Sequence, residues 1–338
     1  MQAHDYDGLE LSTAMLIKAA EKRGIVVDIL DRDDNFIRLK KGIKTEYVKQ
    51  ATKTSLDPYI VPLIMENKEV TKLILRENGI NVPMGIKVKT IEEAFENCDR
   101  FDGRSIVVKP NSTNFGLGVV ILKEMQCESN YPICEINFRT VLETAFKYDN
   151  AVLIEEFISG KEYRFLIIGD EVVAILHRIP ANVVGDGIHS FEKLVAEKNK
   201  NPLRGTGYIK PLEKIKLEYP EIDFLKSQKK TIDDIPHKGE TVFLRENSNI
   251  STGGDSIDFT DDIMDAYKAI AVRAVKAVGA KICGADMIIQ DISRKPDAQN
   301  YSIIELNFNP ALHIHNYPYV GKNRHVEEKV LDLLGMYK

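Results

Sequence analysis

Two apolar runs near the end of the chain, at 285–289 and 303–307, narrow the possible folds because each contains an acidic residue. Such runs are typical of buried strands. Glu305 and Asn307 lie two residues apart, hence on one strand face, and we expect Asp286 to point to the same side. Burying these groups is costly unless a positive charge neutralises them. Oxygen ligands on rigid strands suit Mg²⁺, so we predict a magnesium site; an arginine-paired structural cluster is the alternative.

Helices and antiparallel hairpins are mixed along the chain. Apolar residues at helical spacing predict a helix at 9–23, and Gly169-Asp170 separates two apolar runs as in a tight hairpin. This mixture indicates an α+β fold rather than an alternating βαβ sheet. Predicted strands are at 25–30, 36–40, 45–49, 106–109, 119–122, 151–157, 163–168, 172–177, 282–290 and 302–306. Further predicted helices are at 67–78, from about 90, at 137–148, in pieces within 190–235, at 261–278 and from about 325, with a surface insertion at 124–136.

Charge and composition exclude several classes of protein. The 338 residues include 46 Lys and Arg against 51 Asp and Glu, a net charge of −5, which argues against nucleic-acid or anionic-membrane partners. We find neither a signal peptide nor an apolar run that could span a membrane. The four cysteines form no CxxC pair, so we expect reduced thiols and a cytoplasmic protein.

A lysine followed by a polar, glycine-bearing loop suggests a phosphate site. Lys109 ends an apolar strand, and the loop at 111–118 supplies hydroxyls, amides and backbone N–H groups that converge well on phosphate. It is not a Walker A loop. The residues alone leave an ordinary hairpin with a solvated lysine equally open. The candidate loop residues are Ser112, Thr113, Asn114 and Gly116.

The run 153–164 resembles one wall of a nucleotide pocket. An apolar strand in this run ends with two carboxylates, two apolar residues follow, and the next strand begins with an acid and an arginine. The apolar pair would flank a flat base, and the later acid could accept two ribose hydroxyls; a hairpin with surface salt bridges is the alternative. These residues are Glu155, Glu156, Phe157, Ile158 and Glu162 as candidate ATP ligands, and Arg164 as a candidate substrate ligand.

Two further segments contain groups that suit an anion or a substrate. In the loop at 243–255, Arg245 has a planar fork suited to phosphate, and Asn249, Ser251 and Thr252 add polar groups. The run 309–317 follows the acidic strand and could hold substrate through Asn309 and His313. Its HxH pattern has no obvious third zinc ligand, which favours a structural or solvated pair.

Several of these elements occur in the order found in ATP-grasp ligases. The order is Lys68, Lys109, the run 155–162, Asp286 and Glu305-x-Asn307, so the chain resembles that superfamily from about residue 60. The greatest similarity is to the ATP-grasp half of bacterial bifunctional γ-glutamylcysteine ligase/glutathione synthetases. It rests on ILDR at 29–32, NFIRLK at 35–40, YVKQATKTS at 47–55, PLIMENK at 62–68, EEF at 155–157 and ELNFNP at 305–310. RIPANVVGDG at 178–187 and the loop at 244–254 are also similar to cyanophycin synthetase.

The resemblance implies two α+β lobes that hold ATP between antiparallel sheets, preceded by a short N-terminal α/β segment. It divides the chain into a substrate-side segment at 1–60, a lobe with the phosphate loop at 61–155, and a lobe with metal and substrate sites at 156–338. It also implies roles for individual residues. Lys68, Lys109 and the loop at 112–116 would contact the ATP phosphates, while Glu155 to Ile158 would hold adenine and Glu162 would hold ribose. Two Mg²⁺ ions, or Mn²⁺ as the alternative, would be bound by Asp286, Glu305 and Asn307. Arg245 with Arg178 would stabilise the phosphorylated intermediate.

The implied activity is ATP-dependent joining of γ-glutamylcysteine to glycine through an acyl phosphate. Alternatives are a different amino-acid or peptide ligase, of the cyanophycin synthetase or D-Ala-D-Ala ligase type, and a non-catalytic nucleotide-binding module. The sequence begins at Met1 without a γ-glutamylcysteine-forming domain, so we expect the dipeptide to come from elsewhere or another acid to be used. The expected partners are a γ-glutamyl dipeptide or amino acid and an amine acceptor, and the expected assembly is a homodimer.

Overall fold

The computed structural model describes residues 6–112, 118–125, 132–207 and 209–337, without the side chains of 132–136. The helices are α1 Leu11–Lys22, α2 Ile60–Glu66, α3 Lys68–Glu77, α4 Ile91–Glu96, α5 Pro132–Phe146, α6 Phe191–Lys198, α7 Tyr219–Ser227, α8 Asp265–Ala277, α9 His313–Asn316 and α10 Val326–Leu333, with 3₁₀ turns at Cys98–Phe101 and Ile250–Thr252. The strands are β1 Val26–Asp31, β2 Phe36–Lys41, β3 Lys44–Lys49, β4 Gly85–Val88, β5 Ile106–Pro110, β6 Val120–Leu122, β7 Val152–Glu156, β8 Lys161–Ile168, β9 Glu171–Ile179, β10 Asn182–Val184, β11 Arg204–Gly205, β12 Leu212–Glu213, β13 Thr241–Phe243, β14 Asp255–Asp258, β15 Ile282–Ile289 and β16 Tyr301–Asn307. No helix within these ranges is long and apolar enough to cross a membrane.

The N-terminal segment is a three-stranded antiparallel sheet, β1-β2-β3, covered by a helix. Helix α1 buries Leu16 and Ile17 in one core with Ile37 and Leu39 of the sheet and with residues of α10. The first segment of the chain is therefore packed against the last helix.

The second sheet is antiparallel, in the order β4-β7-β5-β6. Alternation along its strands buries Ile106, Val108 and Ile154 in a core under α4 and α5. The same alternation places Lys109 and Glu155 on the opposite face. Glu155 is directly opposite Val107, and Lys109 is on the same side of its strand as Val107 because the two are two residues apart. A lysine and a carboxylate therefore share the face that turns away from this core.

The third sheet is a five-stranded antiparallel sheet in the order β14-β9-β8-β15-β16. One face packs on α8 and on α2 and α3, through residues such as Tyr163, Phe165 and Tyr267. In the register, Arg164 of β8 is opposite Asp286 of β15, and Asp286 is opposite Glu305 of β16. Directly opposed residues in neighbouring strands share a face, so this row brings three charged side chains together.

The α+β prediction is confirmed, and most predicted helices and hairpins are present within a few residues of their predicted bounds. The helix predicted at 67–78 is α3, and Asn67 caps it: Asn67 Oδ1 accepts a hydrogen bond from Val70 N at 3.2 Å. Helix α8 starts at Asp265 rather than 261, because the backbone of Met264 lies outside the helical region, with φ −57° and ψ 144°. The predicted insertion at 124–136 lies partly outside the described residues, and α5 begins within it at Pro132.

Several short elements were not predicted. Strand β14 has the sequence DSID, which has no apolar run, and its pairing with β9 is visible only in the folded chain. Strands β10 and β13 have three residues each and pair with one another at the edge of a small module with α6 and α7. The division into segments 1–60, 61–155 and 156–338 stays a prediction.

Candidate active site

A cleft of about 860 Å³ lies between the four-stranded and five-stranded sheets. Its walls come from β5, β6 and β7 on one side and from β8, β15 and β16 on the other, with the loop at 246–251 at its edge. This volume is in the range of small-molecule sites. The predicted site residues that line it are Lys68, Lys109, Glu155, Glu156, Phe157, Ile158, Glu162, Arg164, Arg178, Asn249, Ser251, Asp286, Glu305, Asn307, Asn309 and His313.

One buried carboxylate in the cleft binds two lysines. Glu155 is 3% exposed, and its Oε2 accepts from Lys109 Nζ at 2.8 Å while its Oε1 accepts from Lys72 Nζ. Burial alone would raise the pKa of Glu155, but Lys109 and then Lys72 outweigh burial and lower it. Burial and the charge of Lys109 lower the pKa of Lys72 to about 7. The cluster therefore carries a positive charge whenever both lysines are protonated.

Lys68 lies at the first turn of α3, on the same helix face as Lys72 because the two are four residues apart. Its Nζ donates to Asn111 O at 3.4 Å and is 3.8 Å from Glu305 Oε1. Burial lowers the pKa of Lys68, although the charge of Glu305 opposes this. Lys68 thus connects the lysine cluster with the acidic row on the other wall.

Asp286 is held by two arginines. Arg164 donates to both of its carboxylate oxygens, with the Nη2–Oδ2 distance 2.7 Å, and Arg178 Nη2 is 3.2 Å from Oδ2. Asn307 Nδ2 donates to the same Oδ2 at 3.4 Å. Burial would raise the pKa of Asp286, but Arg164 and then Arg178 outweigh it and lower the pKa. Asp286 is thus paired with arginines, and the magnesium site stays a prediction.

The same residues form a donor set that suits a hard cation. Two carboxylates on neighbouring strands and an amide oxygen are ligands of the kind Mg²⁺ takes, with water and phosphate completing its shell. Within the described ranges, no three His, Cys, Asp or Glu side chains are close enough to hold a metal ion by themselves. A metal here would therefore need Asn307 and oxygen atoms of a bound substrate.

The predicted ribose ligand is already paired with protein groups. Glu162 Oε1 accepts from Arg178 Nη2, and Glu162 Oε2 accepts from Ser248 Oγ at 2.6 Å. Glu156 Oε1 accepts from the backbone N–H of Met84 at 2.9 Å, so it fixes the entry to β4. Phe157, 41% exposed, remains as an apolar surface in the cleft.

Other predicted residues lie elsewhere. Arg245 Nε donates to Glu221 Oε1 at 2.7 Å, and Arg245 is not among the described residues that line the cleft. The same is true of Ser112, whose N–H donates to Asp149, and of Thr252, whose hydroxyl donates within its own turn. Thr113, Asn114 and Gly116 lie outside the described residues.

Two predicted substrate residues contact the N-terminal segment. Asn309 Oδ1 accepts from Thr52 Oγ1 at 2.8 Å, and its Nδ2 donates to Gln50 Oε1 at 3.1 Å. His313 Nδ1 is 2.9 Å from Ser12 Oγ, and burial lowers its pKa to about 4. The predicted N-terminal segment therefore reaches the cleft through these residues.

Sequence reasoning missed Lys72 and Ser248, although each contacts a predicted carboxylate. The helical spacing from Lys68 could have suggested Lys72, because positions four apart share a face. Ser248 lies in a loop, where no periodicity could have selected it.

Comparison with known proteins agrees with this geometry. Residues 7–60 match the model of an ATP-grasp-like domain, and residues 65–190 match that of the RimK-like ATP-grasp domain. The two matches together span more than half of the chain. The chain belongs to the ATP-grasp family.

Within that family, the similarity is to one kind of bacterial protein. The chain is 57% identical over 329 residues to the glutathione biosynthesis bifunctional protein GshAB of Clostridium perfringens, covering 97% of this chain and 41% of that protein. It is 53% identical over 332 residues to the same-named protein of Desulfotalea psychrophila, covering 98% and 42%. The crystal structure of a bifunctional glutathione synthetase from Pasteurella multocida superposes with a TM-score of 0.74 at 46% identity, covering 97% of this chain and 44% of that one. The chain thus spans about two fifths of the length of these relatives.

Proposed function

We propose that the chain is an ATP-dependent carboxylate–amine ligase of the glutathione synthetase type, which joins γ-glutamylcysteine to glycine. The observation that carries the proposal is the cleft itself, where Lys68 and Lys109 on one wall face Asp286, Glu305 and Asn307 on the other. The similarity to bifunctional glutathione biosynthesis proteins supports the choice of substrates.

In this proposal ATP lies with its base against the apolar part of the cleft and its phosphates towards the lysines. Phe157, Ile158 and Ile288 offer apolar surface to the base. Lys68 and Lys109 supply positive charge for the phosphates, and Glu162 exchanges its contacts with Arg178 and Ser248 for the ribose hydroxyls.

The chemistry follows from the weakness of a carboxylate as an acylating agent. A carboxylate oxygen of the dipeptide attacks the γ-phosphorus, the bond to the β-phosphate oxygen breaks, and ADP leaves. The amine of glycine then attacks the acyl carbon, the C–O bond to phosphate breaks, and the ammonium proton is lost to solvent. Arg164 and Arg178, both paired with Asp286, would stabilise charge on the phosphorylated intermediate. Arg245 would need to leave Glu221 to share this role.

We propose that two Mg²⁺ ions would be held by Asp286, Glu305 and Asn307, with Mn²⁺ as the alternative ion. When bound with the nucleotide, the metal offsets the charge of the transferring phosphoryl group. The protein side chains meanwhile orient the two substrates and exclude water from the cleft.

We also propose a function for each of the three segments of the chain. The segment at 1–60 would contribute to the acid-substrate side through Gln50 and Thr52, the segment at 61–155 would bind phosphates, and the segment at 156–338 would carry the metal and substrate groups. A cytoplasmic location and a homodimer are proposed on the sequence alone.

The experiment is phosphate release from Mg·ATP across a panel of acids and amines. Release only with γ-glutamylcysteine plus glycine supports the proposal. Release only with other pairs, such as two D-alanines or aspartate with arginine, would make the chain a different ATP-grasp ligase. Release with no pair would favour a nucleotide-binding module without catalysis.

A further inference from the structure

Lys72 is a buried cation that neither the sequence motifs nor the proposed chemistry uses. It lies on α3, is 4% exposed, and its ammonium group is paired with Glu155 Oε1 at the bottom of the cleft. The other oxygen of the same carboxylate holds Lys109, the lysine proposed to contact phosphate, at 2.8 Å. One carboxylate is therefore shared between a lysine that lines the cleft and a lysine behind it.

The shared Glu155 carboxylate affects how much of the charge of Lys109 is available to an anion. A single Glu155–Lys109 pair would be neutral, and the carboxylate would compete with phosphate for the ammonium group. When Lys72 is protonated on the other oxygen, the three groups sum to one positive charge. Of the two lysines, Lys109 is the one that lines the cleft, so an anion would be attracted to it. The charged groups that face Lys72 among the described residues are Glu155 on β7, Lys109 on β5, Lys68 on α3 and Glu305 on β16.

The cluster is costly to the fold. Burial and the charge of Lys109 both disfavour the protonated form of Lys72, whose pKa falls to about 7. An apolar residue of similar length would remove the cost of burying the cation but would leave the buried Glu155 Oε1 without its partner. Lys72 therefore acts on the cleft through Glu155.

We propose that Lys72 is a positioning residue for nucleotide binding, which occupies one oxygen of Glu155 and so leaves the charge of Lys109 available to the phosphates. The inference rests on the proposed function, since it requires that a nucleotide binds in this cleft.

The test compares three variants of the full chain: Lys72→Met, Lys72→Arg, and Lys87→Met as a matched control. Lys87 is also paired with a glutamate, Glu69, on the same lobe, but it is not among the described residues of the cleft. The dissociation constants of ADP and of adenosine are measured by calorimetry, together with the melting temperature and the KM for ATP and kcat.

We expect Lys72→Met to raise the dissociation constant of ADP and the KM for ATP by about tenfold, as for one lost charge interaction, with kcat changed less than twofold. Adenosine binding should not fall. The melting temperature should fall moderately, because Met leaves the buried Glu155 Oε1 without its partner while Lys109 still pairs with Oε2. Lys72→Arg should restore ADP binding at least in part, and Lys87→Met should match the wild type.

Three results would overturn the proposal. ADP binding by Lys72→Met equal to wild type would leave the proposed function intact and remove the role of Lys72. Equal weakening of ADP and adenosine binding would make Lys72 a structural residue. Failure of the wild-type chain to bind ADP would overturn the proposed function and this inference with it.

Discussion

At Asp286, two arginines and an amide converge on one buried carboxylate. Its neighbour Glu305 is different: its side chain is 31% exposed, and its ion pair with Lys68 is long, at 3.8 Å. Exposed, loosely paired charges contribute little to stability. Glu305 is therefore the member of the acidic row that can be changed without disturbing the fold.

Glu305→Gln should lower turnover by about 100-fold or more, because it removes a charged ligand from the proposed metal site while keeping the size of the side chain. Phosphate release measures the turnover, and a thermal melt measures stability, which should be unchanged. Glu69→Gln, which removes an acid outside the cleft, is the control. Near-normal turnover in Glu305→Gln would remove Glu305 from the metal site.

Some of the candidate site residues could be predicted from the sequence, and others could not. Glu305 and Asn307 could be predicted because strand alternation places them on one face. Lys109 could be predicted from the polar loop that follows its strand, and Glu155 from the carboxylate pair that ends another strand. The pairing of Arg245 with Glu221 could not be found, since it joins a loop to a helix. Side-chain partners across such distances depend on tertiary packing, which spacing along the chain does not encode.

Among the elements, α3 has the most direct bearing on the site because it carries both Lys68 and Lys72. Its first turn is fixed by Asn67, whose Oδ1 accepts from Val70 N at 3.2 Å and from Asn111 Nδ2 at 3.4 Å. Asn111 comes two residues after Lys109, directly after β5. The hydrogen bond from Asn111 to Asn67 therefore also connects the first turn of α3 with the end of β5. The position of the lysines depends on this cap.

Asn67→Ala should cost about 1 kcal/mol of unfolding free energy, the usual value of an N-cap. It should also weaken ADP binding several-fold. Thr90→Ala, which removes the cap of α4 seen in the 3.1 Å bond from Glu93 N, should cost a similar amount and leave ADP binding unchanged. Urea unfolding and calorimetry test both; equal ADP binding in the two variants would contradict the role given to α3.

The short helix α9 contains two buried histidines with different surroundings. His313 contacts Ser12, whereas neither ring nitrogen of His315 has a hydrogen-bond partner among the described residues. Burial and Arg164 lower the pKa of His315 to about 3, below its ordinary value near 6.5. Because the folded-state pKa is the lower one, stability is full above about pH 6.5 and is lost as the pH falls towards 3.

His315→Leu should therefore make stability less sensitive to acid. Between pH 7 and pH 5 the wild type should lose about 2 kcal/mol through this group, and the variant should not. Urea unfolding at the two pH values measures the difference, with the exposed His237→Leu as a control that should behave as wild type. An unchanged pH dependence in His315→Leu would show that this histidine is not held neutral.

At the scale of the whole molecule, two antiparallel sheets face each other across one cleft, and the N-terminal sheet packs against the last helix. The sequence predicted this α+β organisation because hairpin turns and the helical spacing of apolar residues are local signals. It did not predict which sheet each strand joins. In particular, α2 and α3 belong to the first half of the chain but share a core with the five-stranded sheet, a packing that follows from long-range contacts.

The central claim is that a carboxylate is activated by transfer of the γ-phosphoryl group of ATP. It is tested most directly with γ-glutamylcysteine labelled with ¹⁸O in its cysteinyl carboxylate, incubated with Mg·ATP, glycine and the wild-type chain. The account predicts one ¹⁸O atom in each phosphate released and an equal amount of glutathione, both measured by mass spectrometry. Phosphate released without the label, or no phosphate released at all, would contradict it.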